Sequence, residues 1–252
     1  MRSRSLIALA LVVATVVCLT AACTQEAPKT APKEVPKTTP PPVITIGIVA
    51  NLTGPAAMTG NYIKNGVDMA IEEINAAGGI KGQKLAYIAE DDENTPAKSV
   101  SGITKLIEKD KVFAVIGPSG SPCVLAAMEV AARYKVPEFA PNASNPKITR
   151  SGNEWIFRIH ADDILHAKTI VDYAVNELKH KKIAIIYSNN DYGRIGMEEI
   201  VARLNDPHKI KPLVVEACQV TDKDFSSQIL KAKASGATLL VVSMYRTQYP
   251  GH

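Results

Sequence analysis

The chain has 252 residues, 46% hydrophobic and 21% charged, with a formal net charge of +4. Arg2 and Arg4, with the stretch from Cys23 to Pro42, carry three of those charges, so residues 43–252 hold 24 basic against 23 acidic residues. That balance, with no Lys/Arg run interleaved with aromatics, excludes the electrostatic footprint of a nucleic-acid binder.

Residues 1–22 contain Arg2 and Arg4, no acid, and an apolar run from Leu6 to Val17 that closes in Leu19-Thr20-Ala21-Ala22-Cys23. This is the pattern of a secretion signal. A cysteine behind small residues at the cleavage point predicts lipoprotein processing, with Cys23 the acylated first residue and the membrane reached through that lipid. From Cys23 to Pro42 the composition turns to Pro, Lys, Thr and Ala. Such a segment cannot bury a core and predicts a stiff, solvated tether.

From Val43 onward short β-branched runs alternate with helical patterns, which predicts an α/β fold of doubly wound parallel sheets. Strands are expected at residues 44–50, 85–90, 112–116, 137–140, 182–187, 213–218 and 238–243. Ile63, Val67, Ile71 and Ile74 share one helical face, and Gly78-Gly79 ends that helix. Further helices fit residues 96–108, 122–134, 165–178, 193–204 and 225–234. The pattern breaks at Trp155 to Asp163, which reads as a crossing segment, and divides the chain into a first lobe at 43–160 and a second at 161–252. With no helix after the last strand, the second lobe reads as incomplete.

Ligands of open parallel sheets sit beyond the carboxyl ends of the strands. Asn51 to Gly60, Gly117 to Ser121 and Pro141 to Ser144 occupy those places and are rich in small and hydroxyl residues. Ser121, just before Pro122, is placed as an N-cap that either only caps its helix or holds a carboxylate; Ser144 is ambiguous in the same way. Thr53-Gly54-Pro55 reads as an ordinary turn. Tyr192 and Tyr245 follow strands of the second lobe and either pack or close over ligand.

Enzymatic motifs fail on their residues. Gly117-Pro118-Ser119-Gly120-Ser121 lacks the last glycine of a nucleophile elbow, and no Gly-rich phosphate loop follows a strand. The five histidines show no metal-ligand spacing, and Asp91-Asp92-Glu93 lacks the alternation of a calcium loop. All of these read as surface or loop residues, with no cofactor and no metal expected. Cys123 and Cys218, in different lobes, are expected to be unpaired.

Thr53-Gly54-Pro55, Asn75 to Gly82, Glu90-Asp91-Asp92, Val115 to Pro118, Ala140 to Ser144 and Asp191-Tyr192-Gly193 together resemble one family. It is the branched-chain amino-acid and amide binding proteins of ATP-driven (ABC) importers, with a two-lobe type I periplasmic-binding-protein fold that closes on a hinge. The resemblance implies that Ser121 and Ser144 grip the ligand carboxylate, helped by backbone at Ser119, Asn142 and Ala143. It places Thr59 at the side-chain end of the pocket, with Tyr192 and Tyr245 contributed by the second lobe. Asn94 stands where some relatives have a cysteine. The acidic residue that usually pairs the ligand ammonium lies, in that family, beyond the last strand read here, and is not assigned.

The function implied is non-catalytic capture of a small amino acid or amide outside the inner membrane, in the periplasm or its equivalent, and delivery to an ABC permease. Two alternatives stay open: a ligand-sensing receptor ectodomain, and an inactive fragment of a binding protein.

Overall fold

The computed structural model describes residues 42–244. The leader, Cys23, most of the tether and Tyr245 lie outside the described residues. Two parallel sheets organise what is described.

The first sheet has the order β2-β1-β3-β4-β5, from β1 (Ile44–Ala50), β2 (Leu85–Asp91), β3 (Val115–Ile116), β4 (Glu138–Ala140) and β5 (Ile156–Arg158). Helices α1 (Ala57–Ala76), α2 (Pro96–Glu108), α3 (Ser121–Tyr134) and the single turn α4 (Lys147–Arg150) connect them. Period-two alternation explains the layering. Val49 turns to one face and packs with Ile103 and Leu106 of α2 and Ala127, Val130 and Ala131 of α3. Ile48 and Ala50 turn to the other, onto Val67 and Ile71 of α1. Helix α1 ends at Gly78 and Gly79, which take φ of +102° and +81°. Asn75 then donates to Leu85 O and accepts from Leu85 N, both at 2.8 Å, and starts β2.

The second sheet, among the described residues, is β7-β6-β8, from β6 (Ile183–Ser188), β7 (Val214–Cys218) and β8 (Leu239–Ser243). Ile183 and Ile185 face α5 (Asp163–Asp172) and α6 (Asp191–Asn205) through Ala167, Val171, Ile200 and Leu204. Ile186 faces the other way, onto Cys218, Phe225 and Met244, beside α7 (Ser226–Ala234).

Several expectations are corrected. Ile156–Arg158 is a strand and not a crossing segment: Ile156 is buried, while Phe157 stacks on Phe139 on the opposite face at 5.3 Å. Three residues are too few to show a period. Strand β3 is shorter than read, because residues 113 and 114 bond to β1 outside the regular ladder. Helix α5 runs only to Asp172 and continues as a π-helical turn, Tyr173–Glu177.

Within the acidic run Glu93 is exposed as expected, but Asp92 is not. Asp92 is buried and accepts from Ser99 Oγ and Asn94 N, both at 2.8 Å; burial pushes its carboxyl above the usual range. Asp91 accepts from the amides of Leu52 and Thr53 and fastens the Thr53-Gly54-Pro55 turn to β2. His208 is also tied down: with Arg203 and Lys168 it binds Asp172, whose carboxyl those hydrogen bonds hold well below its ordinary range.

Cys123 and Cys218 are both free and buried. Burial pushes the Cys123 thiol up to about 11, so little of it is thiolate at neutral pH. Its Sγ lies 3.8 Å from Asn94 Oδ1. In oxidised protein, Asn94→Cys is therefore expected to bridge to Cys123. Closing this loop contributes about 3 kcal/mol, while a cysteine at the positive φ of residue 94 costs about 1 kcal/mol. The melting temperature should rise relative to the same variant under reductant, and a thiol titre unchanged by oxidation would refute the bridge.

Candidate functional site

Loops at the carboxyl ends of the first sheet meet the start of α6 around a cleft of about 350 Å³. Its lining is Thr59, Ser119, Gly120, Ser121, Asn142, Ser144, His160, His166, Tyr192 and Met244.

Glycines let the loops close. A Cβ on Gly60 would lie 2.2 Å from Asn51 O, so only glycine allows the first turn of α1, with Thr59, to seat on the β1 loop. Asn51 is buried; it donates to Ala56 O and accepts from Ser119 Oγ, which locks the loops after β1 and β3 together. Ser119 thus spends its hydroxyl on architecture and leaves its backbone to the cleft.

Ser121 is not the N-cap. Gly120 occupies that place, and Ser121 is the first residue of α3, so its hydroxyl does not reach back to the helix amides. Its Oγ instead accepts from Asn145 N at 3.2 Å. The first turn of α3 brings N–H groups that an α-helix leaves without intrahelical partners to the cleft wall.

Asn142 and Ser144 follow β4. Ser144 is 2% exposed and its Oγ makes no hydrogen bond. Asp163 Oδ2 is likewise buried without one, and burial pushes this carboxyl upward, opposed by the nearby Ser144 hydroxyl, His166 and Arg158. Ser144 and Asp163 are near enough to influence each other without meeting hydrogen-bond geometry. Ala143 packs its side chain among Val124, Met128 and Ile148 and does not line the cleft.

Arg158, a partly buried residue whose side chain is only 7% exposed, holds the Ser144 loop in shape. Its guanidinium donates to Ser144 O at 3.2 Å, Asn145 O at 2.9 Å and Thr149 Oγ1 at 3.0 Å, and lies 3.4 Å from Asp162. Arg158→Met keeps the stem and leaves these acceptors unmatched, so a loss of about 2–4 kcal/mol in denaturant unfolding is expected. A loss under 0.5 kcal/mol would refute this role.

From the second sheet, Tyr192 enters in the first turn of α6. Asn190 caps that helix by accepting from Gly193 N at 2.9 Å. Asn145 Nδ2 donates to Asp191 O at 3.4 Å and bridges the Ser144 loop to α6. Of the residues expected at the site, Ser119, Ser121, Asn142, Ser144, Thr59 and Tyr192 come together. His160, His166 and Met244 were not expected. Recognising β5 would have exposed His160, because it lies just beyond that strand's carboxyl end.

A sequence model described as periplasmic binding protein matches residues 43–250. The chain belongs to this family. Over 205 residues it is 32% identical to Leu/Ile/Val-binding protein homolog 3 of Brucella melitensis, covering 81% of this chain and 55% of that protein. Over 197 residues it is 33% identical to an amino acid binding protein of Pseudomonas aeruginosa, covering 78% and 52%. Among solved structures, the branched-chain amino acid transporter substrate binding protein LivJ from Streptococcus pneumoniae, in complex with isoleucine, superposes with a TM-score of 0.73. Identity there is 29%, over 80% of this chain and 57% of that one. This periplasmic binding protein thus spans about half the length of the curated relatives it matches. Its fold is the type I arrangement expected from the sequence.

Proposed function

We propose that this periplasmic binding protein captures a small amino acid of the branched-chain type, or a small amide, between two lobes that divide near Ala161. It delivers that ligand outside the cytoplasmic membrane to the permease of an ABC importer. Cys23 carries a lipid anchor, residues 23–42 form the tether, and no cofactor or catalytic step is involved.

The carrying observation is Ser144: a buried hydroxyl without a hydrogen bond, on the wall of a cleft that also receives the opening turn of α3. Burying a polar group without a partner is costly, and a ligand carboxylate supplies the missing one. In this reading Ser121, Ser144 and backbone at Ser119 and Asn142 hold the carboxylate. Thr59 faces the ligand side chain, and Tyr192 and Tyr245 close over it. The names of the relatives support the ligand class.

Calorimetric titration with leucine, isoleucine, valine and short amides tests the reading. For the amino acid that binds, Ser144→Ala is expected to weaken affinity about tenfold or more, since a charge-assisted hydrogen bond is lost. Unchanged affinity in that variant would remove Ser144 from the site; silence toward every ligand tried would overturn the function.

A further inference from the structure

One part of the cleft is built from imidazoles. His160, beyond β5, and His166, in the first turn of α5, both line it, with ring centroids 5.0 Å apart and planes at 77°. His160 has its Nδ1 engaged, while that of His166 has a carboxylate oxygen nearby. His160 Nδ1 lies 2.8 Å from Ala161 O, and His166 Nδ1 faces Asp163 Oδ1 at 3.7 Å. A carbonyl oxygen only accepts, so the His160 proton belongs on Nδ1 and the neutral ring keeps its lone pair on Nε2. The groups around Ser121 and Ser144 suit an anion; an imidazole Nε2 on the same cleft wall suits a donor.

Resting on the cleft as the ligand site, we infer that His160, supported by His166, reads a hydrogen-bond donor on the ligand side chain. The ligand class is then a small amino acid bearing a hydroxyl or amide N–H beyond its carboxylate, in preference to a purely aliphatic one. Covering an acceptor with a methyl group leaves it desolvated and unpaired. A site built around a hydrogen bond rejects an analogue lacking it far more strongly than an apolar pocket rejects one missing methylene.

Threonine and valine have nearly the same shape and differ by one hydroxyl, so calorimetric titration of the protein with both tests the inference. Threonine is expected to bind about tenfold tighter or more. His160→Leu should bring the two within about twofold, whereas His160→Gln, whose amide oxygen still accepts, should keep most of the preference. Valine binding as tightly as threonine to the unaltered protein, or a preference that survives His160→Leu, overturns the inference and leaves the cleft a ligand site. The ratio for the unaltered protein decides whether or not His160→Leu folds. No binding of threonine, valine, leucine or a short amide overturns the proposed function and this inference with it.

Discussion

Gly117→Ala is expected to leave little folded protein. Gly117 follows β3 with φ +106°, in the left-handed half of conformational space that residues with a Cβ seldom enter. Space is the harder limit: a Cβ there would sit 1.8 Å from Val49 O. That carbonyl belongs to β1, the strand between β2 and β3, and Val49 is fully buried, so nothing can yield cheaply. Gly54 supplies the control. Its φ is +79° but no atom lies within 4 Å of an added Cβ, so Gly54→Ala carries only the backbone cost, about 1–2 kcal/mol. Gly117→Ala should exceed about 4 kcal/mol. Urea unfolding of the two variants measures the difference, and comparable losses would sink the steric argument. Because Gly117 leads into Ser119 and Ser121, any folded fraction should also bind ligand poorly.

Replacing Glu138 is expected to stabilise the protein and to change its pH dependence. Glu138 lies in β4, fully buried, and neither carboxylate oxygen makes a hydrogen bond. Burial pushes its pKa from 4.5 to about 8. The folded state therefore keeps a proton that the unfolded chain gives up above about pH 4.5, and stability falls as pH rises from there to about 8. Across the window the loss is on the order of 5 kcal/mol. Glu138→Gln retains the shape without the titration and should gain several kcal/mol over the parent at pH 8, with the gain fading toward pH 4.5. Asp92 and Asp163, also pushed upward by burial, slope stability in the same direction. Asp172, held low by Arg203 and His208, acts oppositely: its contribution is present at neutral pH and is lost as pH falls below the ordinary carboxylate range. Parallel unfolding curves for parent and Glu138→Gln across pH 5–8 would show that the carboxyl is solvated or paired.

Much of this fold was legible in the sequence because its strands and helices have strong periods. Strand β1 and helix α2 were placed to the residue, since β1 is a short apolar run bounded by Pro42 and the small-residue loop from Asn51, and Pro96 marks the first turn of α2. The short pieces were not legible. Strand β5 and turn α4 are too brief to carry a period, and each forms because its neighbours bury Ile156 and Ile148. The same limit hid Asp92, which looked like one of three exposed acids until Ser99 and the Asn94 amide were brought to it.

Sequence alone determined the family, the alternation of strand and helix, and the three loops that carry Thr59, Ser121 and Ser144. The alternation and the loops follow from local periodicity and from small residues placed after strands, and the family from the resemblance of ordered motifs such as Asn75 to Gly82 and Ala140 to Ser144. Only the tertiary structure decided what each hydroxyl already does. Ser119 donates to Asn51, Ser121 accepts from the Asn145 amide and keeps its own proton to donate, and Ser144 Oγ is buried near Asp163 outside hydrogen-bond geometry; those outcomes depend on residues brought in from other loops. It also decided that His160 and His166 share a wall with them. Hydrogen-bond satisfaction is a property of the assembled neighbourhood, which no window of sequence contains.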